Sequence, residues 1–201
     1  ALNEAPKYKA AEFDADVNKA LKVNIGFTDV AAFMDHWHDI RLGKIPAKAR
    51  MYCSCPSQFD PCQAPEGKHT ALLWFPVPYK LKEGSWSEVK EKVAQMCLDE
   101  WSKFAPNINL KNIIKKAIFT PEDIEQKFIN MAQGAIFMGR LSFNQIEYFR
   151  PHPLFSQYKS PIDNLFLCGA CTHPGGGIIG GGGYNAAGVV ADAYNIERWW
   201  D

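Results

Sequence analysis

Cys168-Gly169-Ala170-Cys171-Thr172-His173-Pro174-Gly175-Gly176-Gly177-Ile178-Ile179-Gly180-Gly181-Gly182-Gly183-Tyr184-Asn185-Ala186-Ala187 is the stretch on which the reading of this chain turns. It follows an apolar run, Asn164 to Ala170, that reads as a short strand. It opens into Tyr184 to Tyr194, which reads as a helix rich in small residues. Glycine lets the backbone approach a ligand closely. The free N–H groups of a helix N-terminus attract anionic or electron-rich oxygens. The arrangement suits a pyrophosphate or the pyrimidine edge of a flavin. The alternative is a glycine-rich turn that needs only tight packing. Gly175, Gly177 and Gly180 satisfy G-x-G-x-x-G, but only about 20 residues follow. A complete dinucleotide unit needs a helix and a second strand within ~30 residues. Glu197 lies at the right distance but sits beside Trp199 and Trp200, off any recognisable strand. No Lys-Ser or Lys-Thr follows the glycines, so a P-loop is excluded.

Upstream, Pro151, Pro153 and Pro161 make 150–163 an extended loop. Thr120-Pro121-Glu122-Asp123 is a helix start, with a cap, Pro at the first helical position and acids facing the dipole. Ile124, Phe128 and Met131 extend that helix to Gly134. Ser85 and Glu88 have capping-box spacing before Val89, Val93, Met96, Cys97 and Trp101, so 85–104 reads as a helix. Asp29 or Thr28 caps another, with Val30, Phe33, Met34 and Trp37 on one apolar face and Gly43 and Pro46 as its stop. His36 and His38 are expected on its polar face. Strands are expected at Lys22–Phe27, Ala49–Cys55, His69–Tyr79 and Ile113–Phe119, and a turn-rich loop at Pro56–Gly67. Pro76 and Pro78 push the end of the third strand to a sheet edge.

The 201 residues suffice for one domain or slightly more. Twenty-two basic and 22 acidic residues give zero formal charge. A protein living on phosphate contacts carries a basic excess, so nucleic acid is not an expected partner. A hydrophobic fraction of 47% excludes a mainly disordered chain. No run approaches the ~18 apolar residues of a membrane span, and residues 1–10 contain no signal-peptide core. Six cysteines are too sparse for a disulfide scaffold, so reduced thiols in the cytoplasm or another reducing compartment are expected. Peripheral membrane contact stays open.

Four ordered motifs then agree. Pro161-Ile-Asp-Asn-Leu-Phe-Leu-Cys-Gly-Ala170, with Thr172-His-Pro-Gly-Gly-Gly177, resembles the C-terminal flavin segment of phytoene-desaturase-like FAD-dependent oxidoreductases. Gly139-Arg-Leu-Ser-Phe-Asn-Gln-Ile-Glu-Tyr-Phe-Arg-Pro151, Thr120-Pro-Glu-Asp-Ile-Glu125 and Pro56-Ser-Gln-Phe-Asp-Pro-Cys-Gln-Ala-Pro-Glu-Gly-Lys-His69 are similar to the same family. The resemblance covers about residues 22–195, nearer the phytoene dehydrogenases than the amine oxidases. It implies an α/β fold: an α+β substrate-binding portion over 1–150, then the C-terminal strand and helix of a Rossmann-like FAD domain over 151–201. The family's N-terminal Rossmann unit has no counterpart here. The implied partner is therefore a second chain, or an N-terminal fragment, that carries it.

The implied chemistry is dehydrogenation or desaturation of a hydrophobic terpenoid or polyene-like molecule by hydride transfer to flavin N5. The implied FAD-binding residues are Gly169, Ala170, Gly175, Gly176, Gly177, Ile178, Ile179, Gly180 and Asn185. Phe137, Phe149 and Arg150 are the expected substrate residues, with Arg150 alternatively anchoring the Pro-rich loop. His173 is the candidate catalytic group; a flavin contact or a plain loop histidine are its other readings. The alternative for the whole chain is a noncatalytic binding or scaffolding subunit.

Cys168 and Cys171 have redox-motif spacing, but they straddle a strand end rather than a helix start. Buried thiols near the cofactor are the expectation. Cys53, Cys55 and Cys62, with His36 and His38, match no usual structural zinc spacing, so no metal is expected.

Overall fold

A computed structural model describes residues 1–200. The backbone falls into two compact units, Ala1–Glu122 and Asp123–Asp201. The elements are mixed: four α-helices, short 3-10 turns and one small antiparallel sheet among the described residues.

In the first unit β1 (Val23–Ile25), β2 (Met51–Ser54) and β3 (Leu72–Trp74) form a sheet in that order. The register pairs Val23 with Cys53 and Cys53 with Leu73, which puts all three on one face. That face joins α2 (Trp86–Phe104) in a core of Ile25, Met51, Cys53, Cys97 and Trp101. The Ser85 N–H donates to Glu88 Oε2 at 2.8 Å, completing the expected capping box. Trp101 Nε1 donates to the Tyr8 hydroxyl at 3.3 Å. Burial pushes that phenol up to about 12. The opposite sheet face carries Asn24, Tyr52 and Trp74, the last two with ring centroids 6.0 Å apart.

Several expectations need correction. The third strand is confined to Leu72–Trp74, because Pro76 and Pro78 cannot donate to a ladder. Residues 113–119 form no strand. Ile113 makes a single bridge to Leu2, whose neighbours hold the chain start between 69 and 113. α1 (Val30–Arg41) starts where Asp29 Oδ1 accepts from the Ala32 N–H at 2.7 Å, but its orientation is reversed. Val30, Phe33, Met34 and Trp37 are exposed, whereas His36 is buried. Its ring lies between Phe27 and Phe75, at 5.8 and 5.5 Å, and Nε2 donates to the Pro76 carbonyl at 3.0 Å. A histidine that keeps one strong backbone bond can enter an aromatic cage that a charged side chain could not. Burial holds its pKa below the ordinary histidine value.

In the second unit α3 (Pro121–Lys127), which begins just before the boundary, stops well short of Gly134. A separate 3-10 turn follows at Ala132–Gly134. The expected strand 164–170 is likewise absent: Phe166 makes one bridge, to Lys159, and no ladder forms. An apolar strand needs neighbours, and the described residues of this unit contain none. α4 (Gly181–Tyr194) begins inside the glycine cluster. No helix among the described residues is long and apolar enough to cross a membrane.

Candidate functional site

The glycines at 169–183 do three different jobs. At Gly175 and Gly180 the backbone is left-handed, with φ of 99° and 78°, a region that side-chain-bearing residues avoid. Gly176, Gly181 and Gly182 are required by packing. A Cβ on Gly176 would collide with the Phe137 backbone, one on Gly181 would lie 2.9 Å from the Pro174 ring, and one on Gly182 2.8 Å from the Gly169 carbonyl. Gly177 and Gly183 answer to neither reason. Their φ is ordinary and a Cβ would meet nothing within 4 Å. Tight packing alone therefore explains part of the cluster but not these two.

The turn before α4 is tied at its base. Thr172, fully buried, donates both its N–H (3.0 Å) and its hydroxyl (2.8 Å) to the Gly169 carbonyl. The Tyr158 hydroxyl donates to the His173 carbonyl at 2.8 Å and accepts from Asn185 Nδ2 at 2.7 Å. This bridge fixes the first turns of α4 against the His173–Pro174 bond. Beyond it, the N–H groups of Gly182 and Gly183 belong to the first helical turn, where no carbonyl four residues back lies within the helix.

Arg150 is the other tie. Its guanidinium is buried and donates to four main-chain carbonyls: Met138, Arg140 at 3.4 Å, Gln145 at 3.1 Å and Ala170 at 2.6 Å. The Nε–H has no partner. The arrangement binds the 138–145 loop to the residues just before the glycine turn.

Of the sequence-predicted residues, Gly169, Ala170, Gly175, Gly176, Phe137 and Arg150 thus meet in one neighbourhood. Asn185 and His173 meet through Tyr158. Gly177, Ile178, Ile179 and Gly180 face outward, and Ile179 is fully exposed. Phe149 is about half exposed and meets Tyr148 edge-on at 5.9 Å. Cys168 and Cys171 are exposed, correcting the expectation of buried thiols: with no ladder at 164–170, nothing in the unit covers them. All six cysteines are free. Tyr158 and Thr172 escape a reading of the sequence. A tyrosine in a Pro-rich loop and a threonine beside glycine carry no periodic signal, and only long-range geometry reveals their bonds.

No protein-family model matches the chain. Its homologues are nevertheless phytoene-desaturase-like oxidoreductases, matched over most of its length. A limonene dehydrogenase subunit of Castellaniella defragrans is 30% identical, over 99% of this chain and 37% of that protein. Pyridine nucleotide-disulfide oxidoreductase domain-containing protein 2 of Rattus norvegicus is 32% identical, over 94% and 34%. The neurosporene-forming phytoene desaturase of Cereibacter sphaeroides is 34% identical, over 69% and 26%. The chain spans from about a quarter to just over a third of the length of these relatives.

Proposed function

We propose that this chain is the C-terminal component of an FAD-dependent oxidoreductase that dehydrogenates a hydrophobic, terpenoid or polyene-like substrate. The observation that carries the reading is Gly177. Neither backbone conformation nor internal packing calls for glycine there, whereas close approach of a planar cofactor does. Gly183 supports it in the same way, in the first turn of α4, where a Cβ would meet nothing within 4 Å. The residues present therefore fit the pyrimidine end of a flavin. FAD, when bound, would supply the two-electron sink for a dehydrogenation in which the substrate loses a hydride to the flavin and a proton to a base or solvent.

The chain's own residues position and polarise. Gly169, Ala170 and Gly175–Gly177 offer backbone at close range, with Ile178, Ile179 and Gly180 on the outer side of the turn. The positive end of α4 favours negative charge at this place. Asn185 acts through Tyr158, to which its amide is committed. Phe137 and Phe149 supply apolar surface for a substrate. His173, through its imidazole, is the acid–base candidate.

Completion of the site requires a second chain or an N-terminal segment bearing the Rossmann unit. The limonene dehydrogenase relative bears the name of a subunit, which favours assembly. Leu165, Ile178, Ile179 and Trp199 are all exposed in this unit, and apolar patches of this kind invite association. An obligate interface burying over ~2,000 Å² is expected.

The test is to isolate the native particle containing this chain and record its spectrum. Bands near about 370 and 450 nm, and FAD released on denaturation, are the expected result. A colourless particle that releases no flavin would overturn the proposal.

A further inference from the structure

We propose that Arg150 is a positioning residue for the cofactor turn and that its charge biases bound flavin toward the reduced, anionic form. The inference rests on the flavin reading above. It starts from an imbalance. The guanidinium is only 2% exposed, yet all four of its acceptors are main-chain carbonyls. No ion pair among the described residues includes it. Burying a charge without a counter-charge is costly, and an apolar side chain of similar volume fills such a space at lower cost. The charge is thus retained against a penalty.

Its placement gives it a use. One end of the guanidinium holds the Met138 and Ala170 carbonyls through Nη2, and the other holds Arg140 and Gln145 through Nη1. The loop closes tightly around it: a Cβ on Gly139 would lie 2.9 Å from Nη2. The one donor left over, Nε–H, is buried, and a Cβ on Gly175 would lie 3.5 Å from that nitrogen. The side chain therefore spans from the loop between Phe137 and Phe149 to the two ends of the 170–175 turn. A planar fork with five fixed donors can hold three backbone segments in one register; an ammonium cannot.

The same placement gives an electrostatic effect. In a site of low dielectric a fixed cation is weakly screened, and it favours the negative charge that appears when flavin takes up two electrons and one proton. Geometry and charge are separable, because lysine keeps the charge and loses the fork, whereas glutamine loses the charge.

The experiment uses the assembled flavoprotein carrying Arg150→Lys or Arg150→Gln. The midpoint potential is read against a reference dye, and flavin affinity by titration of the apo-assembly with FAD. In R150Q the preference for reduced over oxidised flavin is expected to fall about tenfold, a drop of about 30 mV for a two-electron couple. In R150K the potential is expected to stay near wild type while flavin binds about tenfold more weakly. R150Q with wild-type potential, or R150K shifted as far as R150Q, would overturn the electrostatic role. R150K with wild-type flavin affinity would overturn the positioning role, and this readout stands if R150Q does not assemble. A wild-type assembly without flavin would instead overturn the functional reading, and this inference with it.

Discussion

The two units are built on opposite plans. In Ala1–Glu122 the inaccessible residues are mostly apolar: Ile25, Met51, Cys53, Cys97, Trp101 and Ile108 close a core between sheet and helix. From Asp123 onward the buried side chains are Arg150, Ser156, Thr172 and Tyr158, with only small alanines from α4. Leu154, Ile162, Leu165, Ile179 and Trp199 lie outside. The first unit is held by what it removes from water. The second is held by side chains bonded to its own backbone, and among its described residues it buries no large aliphatic side chain. The exposed apolar surface of the second unit supports the proposal that a companion covers it.

The largest effect expected from this contrast is all-or-none. Residues 1–122 expressed alone should melt cooperatively, whereas 123–201 alone should bind a hydrophobic dye and associate. A monomeric, cooperatively melting 123–201 would erase the distinction. Next, Trp101→Ala should cost the first unit about 3–5 kcal/mol, read from denaturant midpoints, since the indole is buried in the core. A cost under about 1 kcal/mol would mean that the core is not what holds that unit.

Within the second unit, Gly176→Val and Gly177→Val should part company. The first should lose helicity by circular dichroism because its side chain meets the Phe137 backbone. The second should keep its fold and lose flavin from the assembly. Full flavin retention in G177V would remove the ligand-facing role of that glycine.

The smallest effect is a pH dependence confined to the first unit. His36 has a folded pKa lowered by burial, so the unfolded chain binds the proton more readily. Its contribution to stability is complete above the unfolded value of about 6.5 and declines as pH falls through and below it. Denaturation of wild type and His36→Phe between pH 5 and 7.5 should show a slope in the former and a flatter profile in the latter. Equal slopes would assign the dependence to other groups.

This contrast also explains what can be read from the sequence. α1, α2 and the start of α3 announce themselves through Asp29, the Ser85–Glu88 box and Thr120-Pro121, because capping acts within four residues. Strands β1 and β2 are visible as alternation. The reading fails where the outcome depends on a neighbour. Residues 164–170 have strand composition but no ladder, and the apolar stripe of α1 says which residues share a face, not which face turns inward. At the site, the glycine cluster is visible, and the role of each glycine is not. Separating Gly176 from Gly177 takes knowledge of where the Phe137 carbonyl lies. Arg150 stands out in the sequence as substrate contact or anchor; only the positions of four distant carbonyls describe its work.

The cysteines supply a clock and a footprint without any added label. Alkylation follows the thiolate, so accessibility and acidity together set the rate at each sulfur. Burial raises Cys97 to about 12 and lifts Cys53 and Cys55 above the ordinary thiol range, so these three should react only when the first unit opens. Cys62, Cys168 and Cys171 are exposed and should react at once. The slow class times the opening of the sheet-and-helix core. Of the fast class, Cys168 and Cys171 flank the turn at Gly169. Whatever covers that turn, cofactor or companion chain, should be recorded as the slowing of two sulfurs while Cys62 keeps its rate.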